Sequence, residues 1–118
     1  MRRPTALVFF APQTGRCVDA LRQLQTLRAR HPGVAIAAIA LGDDRDRVRS
    51  IVRDLRLRYP VAYDRDSVLA NLYGVAVCPL VTFVAAGGTV QGTVVGTRST
   101  SALDRRLRQL ERSGTAGA

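Results

Sequence analysis

The sequence predicts an α/β domain with a mixed central sheet, parallel in its first half and ending in an antiparallel hairpin, with helices on both faces. Three observations carry this. The chain has 118 residues, 47% of them hydrophobic, which is enough for one core and too few for two. Apolar runs of strand length alternate with segments of helical period, the pattern of parallel strands joined by right-handed crossovers. Towards the C-terminus two apolar runs are joined through Ala86-Gly87-Gly88, a hairpin signal that adds antiparallel strands. A single domain is expected over residues 1–112, followed by a flexible tail of small residues, 113–118.

Thr5 to Phe10 is a continuous apolar run suited to a strand buried on both faces. Ala11-Pro12-Gln13-Thr14-Gly15 breaks it. From Thr14 or Gly15 to Arg30 the period becomes helical, with Cys17, Val18, Leu21, Leu24 and Leu27 on one side. His31-Pro32-Gly33 ends that helix, because Pro cannot continue it. His31, beside a helix end, is expected to serve the last carbonyls. Val34 to Leu41 is a second strand, stopped by Gly42.

Asp43 or Asp44 can cap a second helix, whose Val48, Ile51, Val52 and Leu55 form an i, i+3, i+4, i+7 stripe. Tyr59 to Tyr63 reads as an extended edge segment because it contains Pro60. Asp66 or Ser67 starts a brief helix carrying Val68, Leu69 and Leu72, and Gly74 suits the position just past its end. Leu80 to Ala85 and Thr89 to Val95 are the hairpin strands. Ser101 with Asp104 three residues later reads as a capping box for the last helix, which turns Leu103, Leu107 and Leu110 inward.

Composition excludes several function classes. No apolar run approaches the roughly 20 residues of a membrane span. The 18 basic side chains, all Arg, outnumber 9 acidic ones, yet they are dispersed and many lie beside acids, as in Asp43-Asp44-Arg45-Asp46-Arg47. No aromatic residues interleave with them to make a stacking platform, so the +9 charge reads as a solvated basic surface rather than a specific nucleic-acid site. No Gly-rich turn opens a helix after a strand with a Lys available, so no phosphate loop is present. One His and 2 Cys are too few for a private zinc site. No cofactor and no metal is implied.

The chemistry therefore rests on two cysteines. Cys17 lies three residues after Thr14; with Thr14 as N-cap it occupies N3, where the Thr14 hydroxyl can accept from its backbone N–H. The helix N-terminus and the neighbouring Arg16 both favour a thiolate there. The plainer reading is a small apolar filler on the helix's inner face. Cys78 precedes Pro79 at the start of a buried strand, where a cis X-Pro bond would be useful, and it too reads singly as a filler.

Taken together, these segments resemble a known group. The run Phe9-Phe10-Ala11-Pro12-Gln13-Thr14-Gly15-Arg16-Cys17 is similar to the strand and helix start of the thioredoxin-like superfamily, in its TlpA-like and redoxin (AhpC-TSA-like) group, where a C-x-x-C motif opens the helix. Asp66 to Val75 looks like that group's D-x-x-x-A-x-x-Y-G-V segment, followed by Pro79, Thr82, Phe83 and Gly88 at the matching places. The resemblance spans roughly Ala6 to Leu110 and implies a three-layer α/β/α sandwich. It also marks a departure. Thr14 stands where the group has its first, exposed Cys, and a hydroxyl cannot replace a thiolate in disulfide exchange.

The resemblance implies three readings. In the first, it brings Cys78, just before a cis-Pro79, beside Cys17, so that the two form a redox couple or a structural staple. Cys17 is then the reactive thiol, Cys78 its partner and Thr14 the cap. Val77, Pro79, Pro12, Gln13 and Arg16 line a groove for a protein or peptide thiol or disulfide. In the second, Thr14-x-x-Cys17 acts as in peroxiredoxins, with Arg16 or Arg98 as the activating cation and Cys78 resolving the sulfenate. In the third, the chain is a non-catalytic binding module and both cysteines are core. A cytoplasmic location is expected for the chain as written, and an extracytoplasmic one if it is part of a longer anchored protein.

Overall fold

The computed structural model of the chain describes residues 3–73 and 77–116. The elements follow in the order β1 (Thr5–Phe10), α1 (Gly15–Arg28), β2 (Ala35–Leu41), α2 (Arg45–Leu55), β3 (Val61–Asp64), α3 (Val68–Leu72), β4 (Leu80–Val84), β5 (Val90–Val95) and α4 (Thr100–Ala116). The strands form one five-stranded sheet in the order β3-β2-β1-β4-β5. β1 pairs parallel with β2, and β2 with β3; β4 runs antiparallel to both β1 and β5. This is the thioredoxin-like arrangement, with β3 at an edge directly after Pro60, as expected for a segment containing Pro.

Side chains alternate across β1 and divide the molecule into two unequal layers. Ala6, Val8 and Phe10 face a large core shared with Leu21, Leu24 and Leu27 of α1, Val48 and Ile51 of α2, and Leu103, Leu107 and Leu110 of α4. Phe9, on the other face, joins Ile39 and Leu80 under Leu69 and Tyr73 from the short α3 and its end. The Phe9 and Tyr73 rings lie 5.5 Å apart. Tyr59 is buried and donates its hydroxyl to the Leu21 carbonyl at 2.8 Å, tying the lead into β3 to α1. Burial pushes its phenol pKa upward.

Several local expectations are corrected. The cap of α4 is Ser99, whose hydroxyl accepts from the Ala102 N–H at 3.1 Å, not Ser101. Asp104 is drawn away from the helix start to His31. His31 serves the last turn of α1 only through its backbone N–H, which donates to the Arg28 carbonyl at 3.3 Å; its side chain goes elsewhere. It is buried between Asp104 and Glu111. α3 does start after Ser67, its N-cap, but the Ser67 side chain makes no capping bond. The buried Asp64 carboxylate at the end of β3 accepts from the Leu69 and Ala70 N–H groups at 3.0 and 2.7 Å. α4 continues past Arg112 to Ala116, since Ser113-Gly114-Thr115-Ala116 holds no Pro to stop it. Gly74, expected after the third helix, lies outside the described residues.

Thr82, in β4 between Leu7 of β1 and Thr93 of β5, is 1% exposed, and its hydroxyl has no hydrogen-bond partner among the described residues. A buried unpaired hydroxyl carries its desolvation penalty uncompensated. Thr82→Val keeps the branched shape and removes the polar atom. It is expected to raise stability by about 1 kcal/mol, read as a higher urea midpoint at unchanged slope. A lower midpoint would show that the hydroxyl is satisfied.

Candidate functional site at the sheet edge

Topology brings the two cysteines together. β1 runs parallel to its neighbour and ends at Phe10, so the loop 11–14 and the start of α1 lie at the C-terminal edge of the sheet. β4 runs the opposite way, with its first residue, Leu80, paired to Phe9. Pro79 and Cys78, immediately before Leu80, therefore reach the same edge. Cys17 and Cys78 are joined by a disulfide there, with Cα atoms 5.6 Å apart, inside the range a disulfide allows. The Cys78–Pro79 peptide bond is cis, and the Pro79 carbonyl accepts from the Gly96 N–H at 2.8 Å, which holds the loop to the end of β5.

The two sulfurs sit in different surroundings. Cys17 is 0% exposed and belongs to the large core. The same helical period that buries Leu21 and Leu24 buries it. Cys78 is half-buried and only packs against that core from outside. Next to it Val77 is 54% exposed.

Thr14 is the N-cap of α1, in extended conformation, but its hydroxyl makes no capping bond. Its carbonyl instead accepts from the N–H groups of Cys17 and Val18 at 3.1 and 3.2 Å. The expected hydroxyl bond to the Cys17 N–H is thus replaced by a backbone one. Gln13, Thr14 and Arg16 are exposed, whereas Pro12 and Pro79 are buried. Arg98 bonds the neighbouring Thr97 carbonyl at 3.0 Å and lines a cavity of about 360 Å³ between β5 and α4, together with Val94, Leu103 and Arg106.

Two residues that position the site were missed in the sequence. Gln13 Nε2 donates to Asp44 Oδ2 at 3.0 Å, and Arg47 Nε donates to the Pro12 carbonyl at 3.3 Å. Asp44 also caps α2, accepting from the Arg47 N–H at 3.3 Å. The first turn of α2 therefore holds the loop that leads into Cys17. The only signal in the sequence was the capping Asp itself, which reads as local. Among the described residues no group of three or more His, Cys, Asp or Glu side chains could hold a metal ion. No described helix is long and apolar enough to cross a membrane.

Known structures share this fold. The chain aligns in structure with a secreted Mycobacterium tuberculosis disulfide oxidoreductase homologous to E. coli DsbE. The two are 26% identical with a TM-score of 0.84, over 93% of this chain and 84% of that one. MTB dsbF, determined in mixed oxidized and reduced forms, is also 26% identical, with a TM-score of 0.84 over 93% and 82% of the two chains. A putative thiol:disulfide interchange protein DsbE from Chlorobium tepidum shares the fold at 21% identity and a TM-score of 0.85, over 93% and 81%. No curated protein matches the chain in sequence. The model of the AhpC/TSA family matches residues 2–107, nearly the whole domain including both cysteines, and the chain belongs to that family.

Proposed function

We propose that the protein is a thiol–disulfide exchange protein whose redox couple is Cys17 and Cys78, acting on protein or peptide thiols. The observation that carries this is the Cys17–Cys78 disulfide itself, placed where the start of α1 meets the cis-Pro79 loop. The pair takes over the place of the C-x-x-C dithiol that Thr14 interrupts. The 26% identical neighbour described as a secreted disulfide oxidoreductase supports the same chemistry. In this reading Thr14 terminates α1 through its carbonyl and takes no part in electron transfer. Pro79 fixes the loop. Exposed Gln13, Arg16 and Val77 form the rim on which a partner chain rests, with Pro12 buried beneath them.

Burial of Cys17 disfavours direct attack on peroxide, and the same burial is what a purely structural staple would show. Equilibration in glutathione buffers of graded reduced-to-oxidised ratio, followed by acid quench, alkylation and intact mass, separates these readings. A reversible transition between zero and two alkylated thiols in the folded protein is expected, together with oxidation of a reduced dithiol peptide. Hydrogen peroxide should oxidise the reduced protein no faster than it oxidises free cysteine. A disulfide that stays closed at every ratio until the chain unfolds would leave only the staple.

A further inference from the structure

Burial assigns an order to the two sulfurs. Thiol–disulfide exchange requires the attacking thiolate to approach a disulfide sulfur directly, displacing the other sulfur as a thiolate. Cys17 is 0% exposed, enclosed by the core, so a partner sulfur has no approach to it. Cys78 is half-buried at the edge of the domain, beside exposed Val77. The leaving group is also better on the Cys17 side. Cys17 is the third residue of the 14-residue α1, its first turn holds no acidic residue, and exposed Arg16 precedes it. A helix N-terminus favours the developing thiolate charge, and a stabilised thiolate leaves faster.

We infer, resting on the exchange function proposed above, that Cys78 is the sulfur that joins the partner and Cys17 the internal leaving and resolving sulfur. The order is the reverse of one in which the helix-start cysteine meets the partner. In the oxidised protein a partner thiolate attacks Cys78 Sγ. The Sγ–Sγ bond breaks and its electron pair leaves on Cys17 as thiolate, giving a partner–Cys78 mixed disulfide. The partner's second thiol, after losing its proton, attacks the partner sulfur of that mixed disulfide and releases Cys78 as thiolate. The partner dithiol is oxidised to a disulfide, the protein's disulfide is reduced, and the two protons from the dithiol end on Cys17 and Cys78. In reverse, Cys78 thiolate attacks an incoming disulfide and Cys17 resolves it.

The test compares reduced Cys17→Ser, which keeps Cys78, with reduced Cys78→Ser, which keeps Cys17. Each is mixed with glutathione disulfide and followed by intact mass. Cys17→Ser is expected to gain the glutathione adduct roughly tenfold faster or more. Equal rates, or a faster adduct on Cys17, would overturn the assignment. A second measurement avoids variants that fold poorly: wild-type protein, reduced while folded, receives a short pulse of iodoacetamide and its labelled peptides are mapped. Cys78 should carry the label first, and label appearing first on Cys17 overturns the assignment while leaving the exchange function intact. A wild-type disulfide that dithiothreitol cannot open without denaturant would instead remove the exchange function, and the order of its sulfurs with it.

Discussion

Reduction of the Cys17–Cys78 disulfide is expected to lower the stability of the fold by about 4 kcal/mol. The bridge spans a sequence separation of 61. By the loop-entropy relation, opening a closed loop of that length returns a conformational entropy to the unfolded chain worth about this much. A domain of this size has a total stability on the order of 5–15 kcal/mol, so the reduced protein keeps its fold with a much thinner margin. The unfolding midpoint should fall by about 15 °C. Urea melts with and without dithiothreitol measure the difference directly. A Cys17→Ala/Cys78→Ala variant should lie lower still, because Cys17 is fully buried and its replacement leaves a void.

Thermodynamic linkage supplies an independent check on the same number. If the bridge stabilises the folded chain, folding must favour the bridge equally. The equilibrium constant for disulfide formation against glutathione should then be about a thousandfold larger in buffer than in concentrated urea. A difference below about 1 kcal/mol by either route would mean that the segment from α1 to α3 stays compact in the reduced, unfolded chain.

The sequence made the sheet and its layers legible because both follow from local pattern. The apolar runs 5–10 and 34–41 read as buried strands by their length, and the stripe Val48, Ile51, Val52 and Leu55 as one helix face. The hairpin followed from Ala86-Gly87-Gly88. The meeting of Cys17 with Cys78 was legible only through resemblance, since nothing local ties two cysteines at the separation of 61 that the bridge closes. What escaped was everything depending on a distant partner. Asp44 read as a helix cap, and it is one, but its other oxygen holds Gln13, 31 residues away in the chain. Asp104 fitted a capping box with Ser101, yet its carboxylate is taken by His31, at a separation of 73. Ser99 and Ser101 are equally good caps by residue type, and the tertiary demand on Asp104 decided between them.

That demand sets the second large effect. His31, 4% exposed in the turn between α1 and β2, presents Nδ1 to Glu111 at 2.5 Å and Nε2 to Asp104 at 2.7 Å. Asp104 also accepts from Arg108 at 2.8 Å. The ring thus sets one nitrogen against each carboxylate, on opposite sides of the imidazole. The bridge fastens α4 to the turn after α1. His31→Leu removes both bonds and leaves two carboxylates facing an apolar group. It is expected to cost about 2–3 kcal/mol, with His31→Gln, which can still donate to one carboxylate, in between.

The same contact makes a directional prediction in acid. The hydrogen bond from His31 holds the Asp104 carboxyl below the usual carboxylate range, against a smaller opposing effect of desolvation and with help from the charges of His31, Arg108 and Arg30. A carboxyl depressed in the folded state binds its proton more readily when unfolded. Its contribution is fully present above the unfolded value of about 3.9 and is lost as pH falls through the folded value. The urea midpoint of the wild type should therefore fall as the pH drops below about 4, through the unfolded value and on towards the depressed folded one. In His31→Gln that decline should be shallower, since the contact that depresses Asp104 is weakened. Parallel declines in the two proteins would show that other carboxylates govern acid stability and that the His31 bridge acts through packing alone.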